Sequence, residues 1–268
     1  MTERRYPSEY FDAKSSVECG QMFRYRAEEG GYFLIAGDKA CFLRTEGDTT
    51  VLKAEESAIW FFEEYFDLGR DYGAIYLAAQ REGGALARAA EAGKGIRIFR
   101  QPPFETLVTF LLSQNNNIPR IRSATEKICA ALGERRAFGE RKYFAFPSAG
   151  RMAEADEAFY RSVGAGYRAP YLLRAAKSVA SGEKVCEGTD LTCFYGVGKK
   201  VADCISLFAF HRTRAFPVDT WLEKVYREEY GGKERDRGKI AAFFEEKFGE
   251  NAGYFQQYLF YAKRSGVI

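Results

Sequence analysis

Histidine is nearly absent from this 268-residue chain: His211 stands alone beside 40 Lys and Arg and 37 Asp and Glu. The six cysteines, Cys19, Cys41, Cys129, Cys186, Cys193 and Cys204, are scattered and form no Cys-x-x-Cys pair. A zinc cage needs clustered thiolates and imidazoles, so no metal site is expected, and metal-free chemistry without a cofactor is the starting point. Long apolar stretches are missing too. No run of about 18 apolar residues offers a membrane span. The start, MTERRYPSEYFDAKSS, has no apolar signal core and carries acids that transit peptides usually avoid. A cytosolic monomer that touches no membrane is expected.

What the chain does hold is 46% hydrophobic and 16% aromatic residues, enough for a sizeable core and for two domains. The net charge of +3 is unevenly placed. Residues 1–98 carry 13 basic and 17 acidic side chains, whereas residues 99–268 carry 27 and 20. A basic half beside an acidic half suits a polyanion binder, although ordinary solvated charge reads equally well from these numbers.

The pattern changes along the chain. Gln21–Arg26, Tyr32–Ala36, Ala40–Arg44 and Thr50–Lys53 read as short strands, separated by Glu29-Gly30-Gly31, Gly37-Asp38 and Glu46-Gly47-Asp48. That is the signature of an antiparallel meander. Helical spacing takes over at Glu56–Phe66 and Tyr72–Gln80, and nothing after Arg97 reads as a strand. The expectation is an α+β fold: residues 1–98 as a small antiparallel sheet domain with helices, and 99–268 as an all-helical domain.

The most informative stretch is Leu191–Thr220, LTCFYGVGKKVADCISLFAFHRTRAFPVDT. Gly196 and Gly198 around Val197 let the backbone turn and present its amides, and amides at a helix start form an anion site. Lys199 and Lys200 in that first turn oppose the helix dipole. A nearby phosphate, or a lysine that has to lose its proton, explains them. Asp219 after Pro217 reads as an N-cap, a role that needs no further function. The pattern resembles the helix-hairpin-helix motif of base-excision DNA glycosylases, with Lys200 at the nucleophile position and Asp219 at the essential carboxylate.

Further segments resemble one branch of that superfamily, the 8-oxoguanine DNA glycosylase/AP lyases. They are Cys19-Gly20-Gln21-Met22-Phe23-Arg24, Ser113–Ile121, Gly164–Ala169 and Gly253–Phe260. The resemblance implies double-stranded DNA containing 8-oxoguanine opposite cytosine as the partner, base flipping, Schiff-base chemistry at Lys200 and β-elimination of the abasic strand. It places Gly20, Cys204, Gln256 and Phe260 around the extruded base, with the Gly20 carbonyl on the N7 proton that guanine lacks. It places Asn115, Arg120, Tyr167 and Arg168 at the estranged cytosine, and Gly196, Val197 and Gly198 on phosphate. Read without it, these residues are turn signals, surface charges and core packing. No cysteine follows Cys204, so the iron–sulfur loop of some relatives is absent. Trp221 stands where eukaryotic members commonly carry histidine, which points to a prokaryotic-type member. Two rivals remain: a glycosylase of this superfamily for another base, such as 3-methyladenine, and a non-catalytic DNA-binding module. Lys200 paired with Asp219 argues against the second.

Overall fold

The computed structural model describes residues 1–268. Seven strands and thirteen α-helices follow one another as β1 (Thr2–Pro7), α1 (Ala13–Glu18), β2 (Tyr25–Glu28), β3 (Gly31–Ala36), β4 (Lys39–Glu46) and β5 (Thr49–Ala54), then α2 (Ile59–Tyr65), α3 (Tyr72–Glu82) and α4 (Gly84–Ala92). The second half runs α5 (Pro103–Ser113), α6 (Ile118–Leu132), β6 (Arg135–Phe138), β7 (Arg141–Phe144), α7 (Ala149–Ala153), α8 (Glu157–Ser162), α9 (Ala169–Ala180), α10 (Lys199–Phe208), α11 (Thr220–Glu229), α12 (Arg237–Phe248) and α13 (Ala252–Arg264).

The first five strands form an antiparallel sheet in the order β1-β5-β4-β3-β2, with Leu34 opposite Cys41 and Cys41 opposite Ala54. Alternate residues of a strand face opposite sides, and here both sides are covered. Leu34, Ala36, Cys41, Leu43, Leu52 and Ala54 pack with Phe11, Phe62, Phe66 and Phe99. Phe33, Ile35, Ala40 and Phe42 pack instead with Phe138 and Tyr143. Those two come from β6 and β7, a hairpin inside the half expected to be all helical. The expectation of no strand beyond Arg97 is therefore corrected. The hairpin turns at Gly139 (φ 60°) and serves as a lid on the outer sheet face.

The segment Gln21–Arg26, expected as a strand, is extended into the sheet only at its end. Its strand begins only at Tyr25, because Gln21 and Arg24 spend their side chains on crossing backbone. Gln21 donates to the Ser16 and Arg97 carbonyls (2.9 and 2.7 Å) and accepts from the Phe99 amide (2.8 Å). Arg24 pairs with buried Glu105 at 3.3 Å. The larger core lies among the helices and includes Tyr72, Leu86 and Ala89 of α3 and α4 with Tyr258 and Leu259 of α13. No helix is long and apolar enough to cross a membrane.

Candidate active site

The hairpin before α10 is closed by the Val197 amide on the Phe194 carbonyl at 2.9 Å. Gly196 holds φ +91°, and a β-carbon there would stand 2.5 Å from the Tyr171 ring. Glycine is therefore required both by the turn and by the close approach. Gly198 precedes α10 in an extended conformation with no side-chain cap, so the first-turn amides remain available to an anion.

Two lysines enter this turn, and the structure separates them. Lys199 is exposed, with Nζ 3.1 Å from each carboxylate oxygen of Asp203. Burial raises the Asp203 carboxyl to about 6 against the pull of that lysine. Lys200 is half-buried, with Nζ 5.5 Å from the Phe110 ring centroid and beside the Cys204 thiol. Burial pushes that thiol up to about 11 although Lys200 opposes the shift, and the Asp219 carboxylate acts on it too. Lys200 thus lies against a neutral thiol, and Asp219 is near enough for its charge to act on that thiol.

Asp219 caps α11: its Oδ1 accepts from the amides of Trp221 (2.9 Å) and Leu222 (3.0 Å). One carboxylate oxygen is therefore committed to holding the helix start, and Oδ2 makes no protein hydrogen bond. Trp221 is half-buried with the Lys224 ammonium 5.1 Å from its ring centroid.

The adjacent glutamines of α13 do different work. Gln256 Nε2 donates to the Pro217 carbonyl (3.2 Å), tying α13 to the approach to Asp219, while its Oε1 is buried without a partner. Gln257 Nε2 donates to the Cys19 carbonyl at 2.9 Å, riveting the loop that carries Gly20. Gly20 holds φ +93°, and its missing β-carbon would lie 3.2 Å from the Phe260 ring. The structure so brings Gly20 to Phe260, which lies one helical turn from Gln256 on the same face of α13. The riveting role of Gln257 escaped the sequence reading. Its signal was a second polar residue beside Gln256, both flanked by apolar and aromatic residues.

Asn115, Tyr167 and Arg168 form a second group. Asn115 is exposed at φ +46°, a left-handed conformation that asparagine tolerates. Arg168 was expected at a cytosine, yet it is only 5% exposed and each of its three nitrogens donates to a backbone carbonyl. Nε reaches the Gln114 carbonyl at 2.7 Å, Nη2 the carbonyls of Gln114 and Asn115 (2.7 Å for the latter), and Nη1 the Ala165 carbonyl at 3.3 Å. Tyr167, half-exposed, donates to the same Gln114 carbonyl at 3.2 Å. Arg120 is exposed and makes no ion pair. Only its amide is bound, to the Asn117 cap at 3.0 Å. Edge-to-face contacts of Tyr171 with Tyr167 (6.0 Å) and Tyr195 (5.3 Å) connect this group to the hairpin.

His211, left without a role by the sequence, is buried against Asp67 (3.1 Å) and the Tyr254 hydroxyl (3.0 Å). Asp67, Tyr254, Arg70 and Arg100 line an open cleft of about 740 Å³, which contains neither Lys200, Asp219 nor the α13 glutamines. That cleft is a charged surface feature between ion pairs, whereas the Lys200 locus lies among facing side chains.

Comparison with known proteins shows the family. Residues 5–107 match the N-terminal domain of 8-oxoguanine DNA glycosylase, and residues 108–250 match the HhH-GPD superfamily of base excision DNA repair proteins. A probable N-glycosylase/DNA lyase of Methanothermobacter thermautotrophicus is 28% identical, over 98% of this chain and 97% of its own length. An 8-oxoguanine glycosylase/lyase of Clostridium acetobutylicum, solved with double-stranded DNA containing cytosine opposite 8-oxoguanine, is 36% identical with a TM-score of 0.91, covering 100% of this chain and 99% of that one. Its apo form superposes with a TM-score of 0.90 at 37% identity, covering 97% and 96%. The chain belongs to the 8-oxoguanine glycosylase/lyase branch of the HhH-GPD superfamily of base excision DNA repair proteins.

Proposed function

We propose that this protein removes 8-oxoguanine paired with cytosine from duplex DNA and then cleaves the abasic strand. The observation that carries the reading is the half-buried Lys200 at the hairpin's helix start, beside a thiol that also feels Asp219. Lys200 Nζ attacks C1′ while the bond from C1′ to N9 breaks, and the electron pair leaves with the base, which takes up a proton. Asp219 faces the positive charge that develops on the sugar. Opening of the ring, with O4′ leaving C1′ and taking a proton, gives the imine. Loss of a C2′ proton then expels the 3′ phosphate oxygen from C3′.

Cys204 and Phe260 sandwich the flipped base, Gln256 Oε1 accepts from its Watson–Crick edge, and the Gly20 carbonyl accepts N7–H. Gly196, Val197 and Gly198 hold a phosphate. Asn115 fills the vacated stack, with Tyr167 wedged beside it. Arg120 offers free donors to cytosine O2 and N3. Arg168 braces the loop that carries Asn115 and joins the cytosine only by releasing those carbonyls. No step draws on a metal or cofactor. The test is single-turnover excision from four duplexes that differ only in the opposing base. Adenine would set its N6 donor against arginine donors, and each such mismatch costs about 1–3 kcal/mol. Excision opposite cytosine should therefore exceed that opposite adenine roughly tenfold or more, and Arg120→Ala should flatten the preference. Equal rates on all four duplexes would remove both arginines from the cytosine.

A further inference from the structure

Two buried polar atoms without partners lie on one face of α13: Oε1 of Gln256 and Nη1 of Arg264. Positions 256, 260 and 264 are successive i, i+4 steps, so Gln256, Phe260 and Arg264 form one stripe along the helix. The Arg264 guanidinium carbon lies 5.4 Å from the Phe260 ring centroid. Its Nη2 donates to the Glu18 carbonyl. Nη1 lies 2.8 Å from where a Gly20 β-carbon would stand. Unpaired buried donors are uncommon in folded proteins, and this one sits beside the backbone already assigned to N7 of the base.

The spacing fits a purine laid along the stripe. Eight residues of helix rise about 12 Å, and a purine carrying a hydrogen bond of about 2.9 Å at each end covers a similar span. With Gln256 at the Watson–Crick edge and the ring on Phe260, Arg264 falls at the imidazole edge.

Resting on the proposed function, we propose that Arg264 is a second reader of the lesion: Nη1 donates to the C8 oxygen of 8-oxoguanine while the Gly20 carbonyl accepts the adjacent N7–H. Guanine offers neither group. It presents a bare N7 to the carbonyl and a C8–H to the guanidinium, so both protein groups stay unpaired.

The test compares wild type with Arg264→Met on 8-oxoguanine and 8-thioguanine, each opposite cytosine. The thio base keeps N7–H and replaces the oxygen by sulfur, a poor acceptor. Cleavage of a preformed abasic site, which has no base to read, reports folding and Lys200 chemistry. Wild type should excise the oxo base at least roughly tenfold faster than the thio base. A hydrogen bond from a charged donor is worth roughly ten- to a hundredfold. Arg264→Met should lose that factor on 8-oxoguanine, bring the two substrates together, and cleave abasic DNA within about twofold of wild type. If Arg264→Met fails to fold, Arg264→Lys, which keeps the charge but withdraws the second terminal nitrogen, should show the same convergence. A variant that keeps 8-oxoguanine excision, or slows on both bases in parallel as a mere brace of the Glu18 carbonyl would, overturns the proposal. Wild-type protein that cleaves abasic DNA but ignores 8-oxoguanine overturns the parent reading with it.

Discussion

Gly20→Ala perturbs the account where geometry is tightest. The residue holds φ +93°, a conformation that costs an L-residue with a β-carbon about 1–2 kcal/mol. The new methyl would stand 2.8 Å from Arg264 Nη1 and 3.2 Å from Phe260 Cε1. The guanidinium end can swing away cheaply. The Phe260 ring has less freedom, because α13 is buried along Tyr254–Leu259 just before it, so the ring or the loop must shift by a few tenths of an ångström. The sum is about 2 kcal/mol, which for a chain of this length lowers Tm by about 4–8 °C. The larger effect falls on selectivity. A displaced Gly20 carbonyl leaves N7–H without its acceptor, and that loss of about 1–3 kcal/mol corresponds to roughly ten- to a hundredfold. The assay is the ratio of Kd values for 8-oxoguanine and guanine duplexes in a Lys200→Gln background, where binding proceeds without turnover. Melting within about 1 °C of the parent, together with an unchanged Kd ratio, would refute the reasoning that glycine is required at position 20 and that its carbonyl reads the lesion.

Other perturbations separate stability from recognition. Gly196→Ala drives a methyl into the Tyr171 ring at 2.5 Å and into a left-handed backbone. It should weaken binding to damaged and undamaged duplexes alike, read by anisotropy, because the hairpin holds phosphate rather than base. Asp67→Asn removes the charge that Arg100 (2.8 Å), Arg70 (2.8 Å) and His211 share, and should cost about 3 kcal/mol in denaturant unfolding. The same cluster sets an acid limit. Burial lowers the His211 imidazole below its ordinary value despite Asp67, so the unfolded chain binds that proton first and stability declines as pH falls below about 6.5. Burial opposes ionisation of Asp67, but His211 and Arg100 hold its carboxyl well below the usual range, which adds a further loss below about pH 4. Urea midpoints at pH 7.5 and 5.5 should therefore differ in wild type and converge in His211→Gln.

Much of the site was legible because its residues carry local signals. Asp219 is both the cap and the candidate carboxylate, and the Gly-Val-Gly turn fixes which helix start holds Lys200. Sequence alone could not say which lysine was free. That follows from Asp203, one helical turn on, capturing Lys199. Nor could it see that Arg168 would be held by backbone carbonyls of a loop 53 residues earlier, since carbonyl acceptors leave no trace in side-chain identity. β1, TERRYP, was missed because a charged edge strand lacks apolar alternation. The hairpin of β6 and β7 was missed because its arginine-rich strands bury chiefly Phe138 and Tyr143, and that against a sheet about 100 residues away in sequence. Arg264 gives no signal of its own, since a basic residue in the last turn of a helix is favoured by the helix dipole alone. Its orphaned nitrogen is visible only in the packed structure.

Borohydride trapping on an 8-oxoguanine:cytosine duplex tests covalent chemistry at Lys200. Reduction of the imine should leave a stable protein–DNA adduct in wild type. Lys200→Gln should abolish that adduct while binding the duplex nearly as well. Lys199→Gln should still form it, since Lys199 is held at Asp203. An adduct that persists in Lys200→Gln and vanishes in Lys199→Gln would move the nucleophile by one residue and contradict the account.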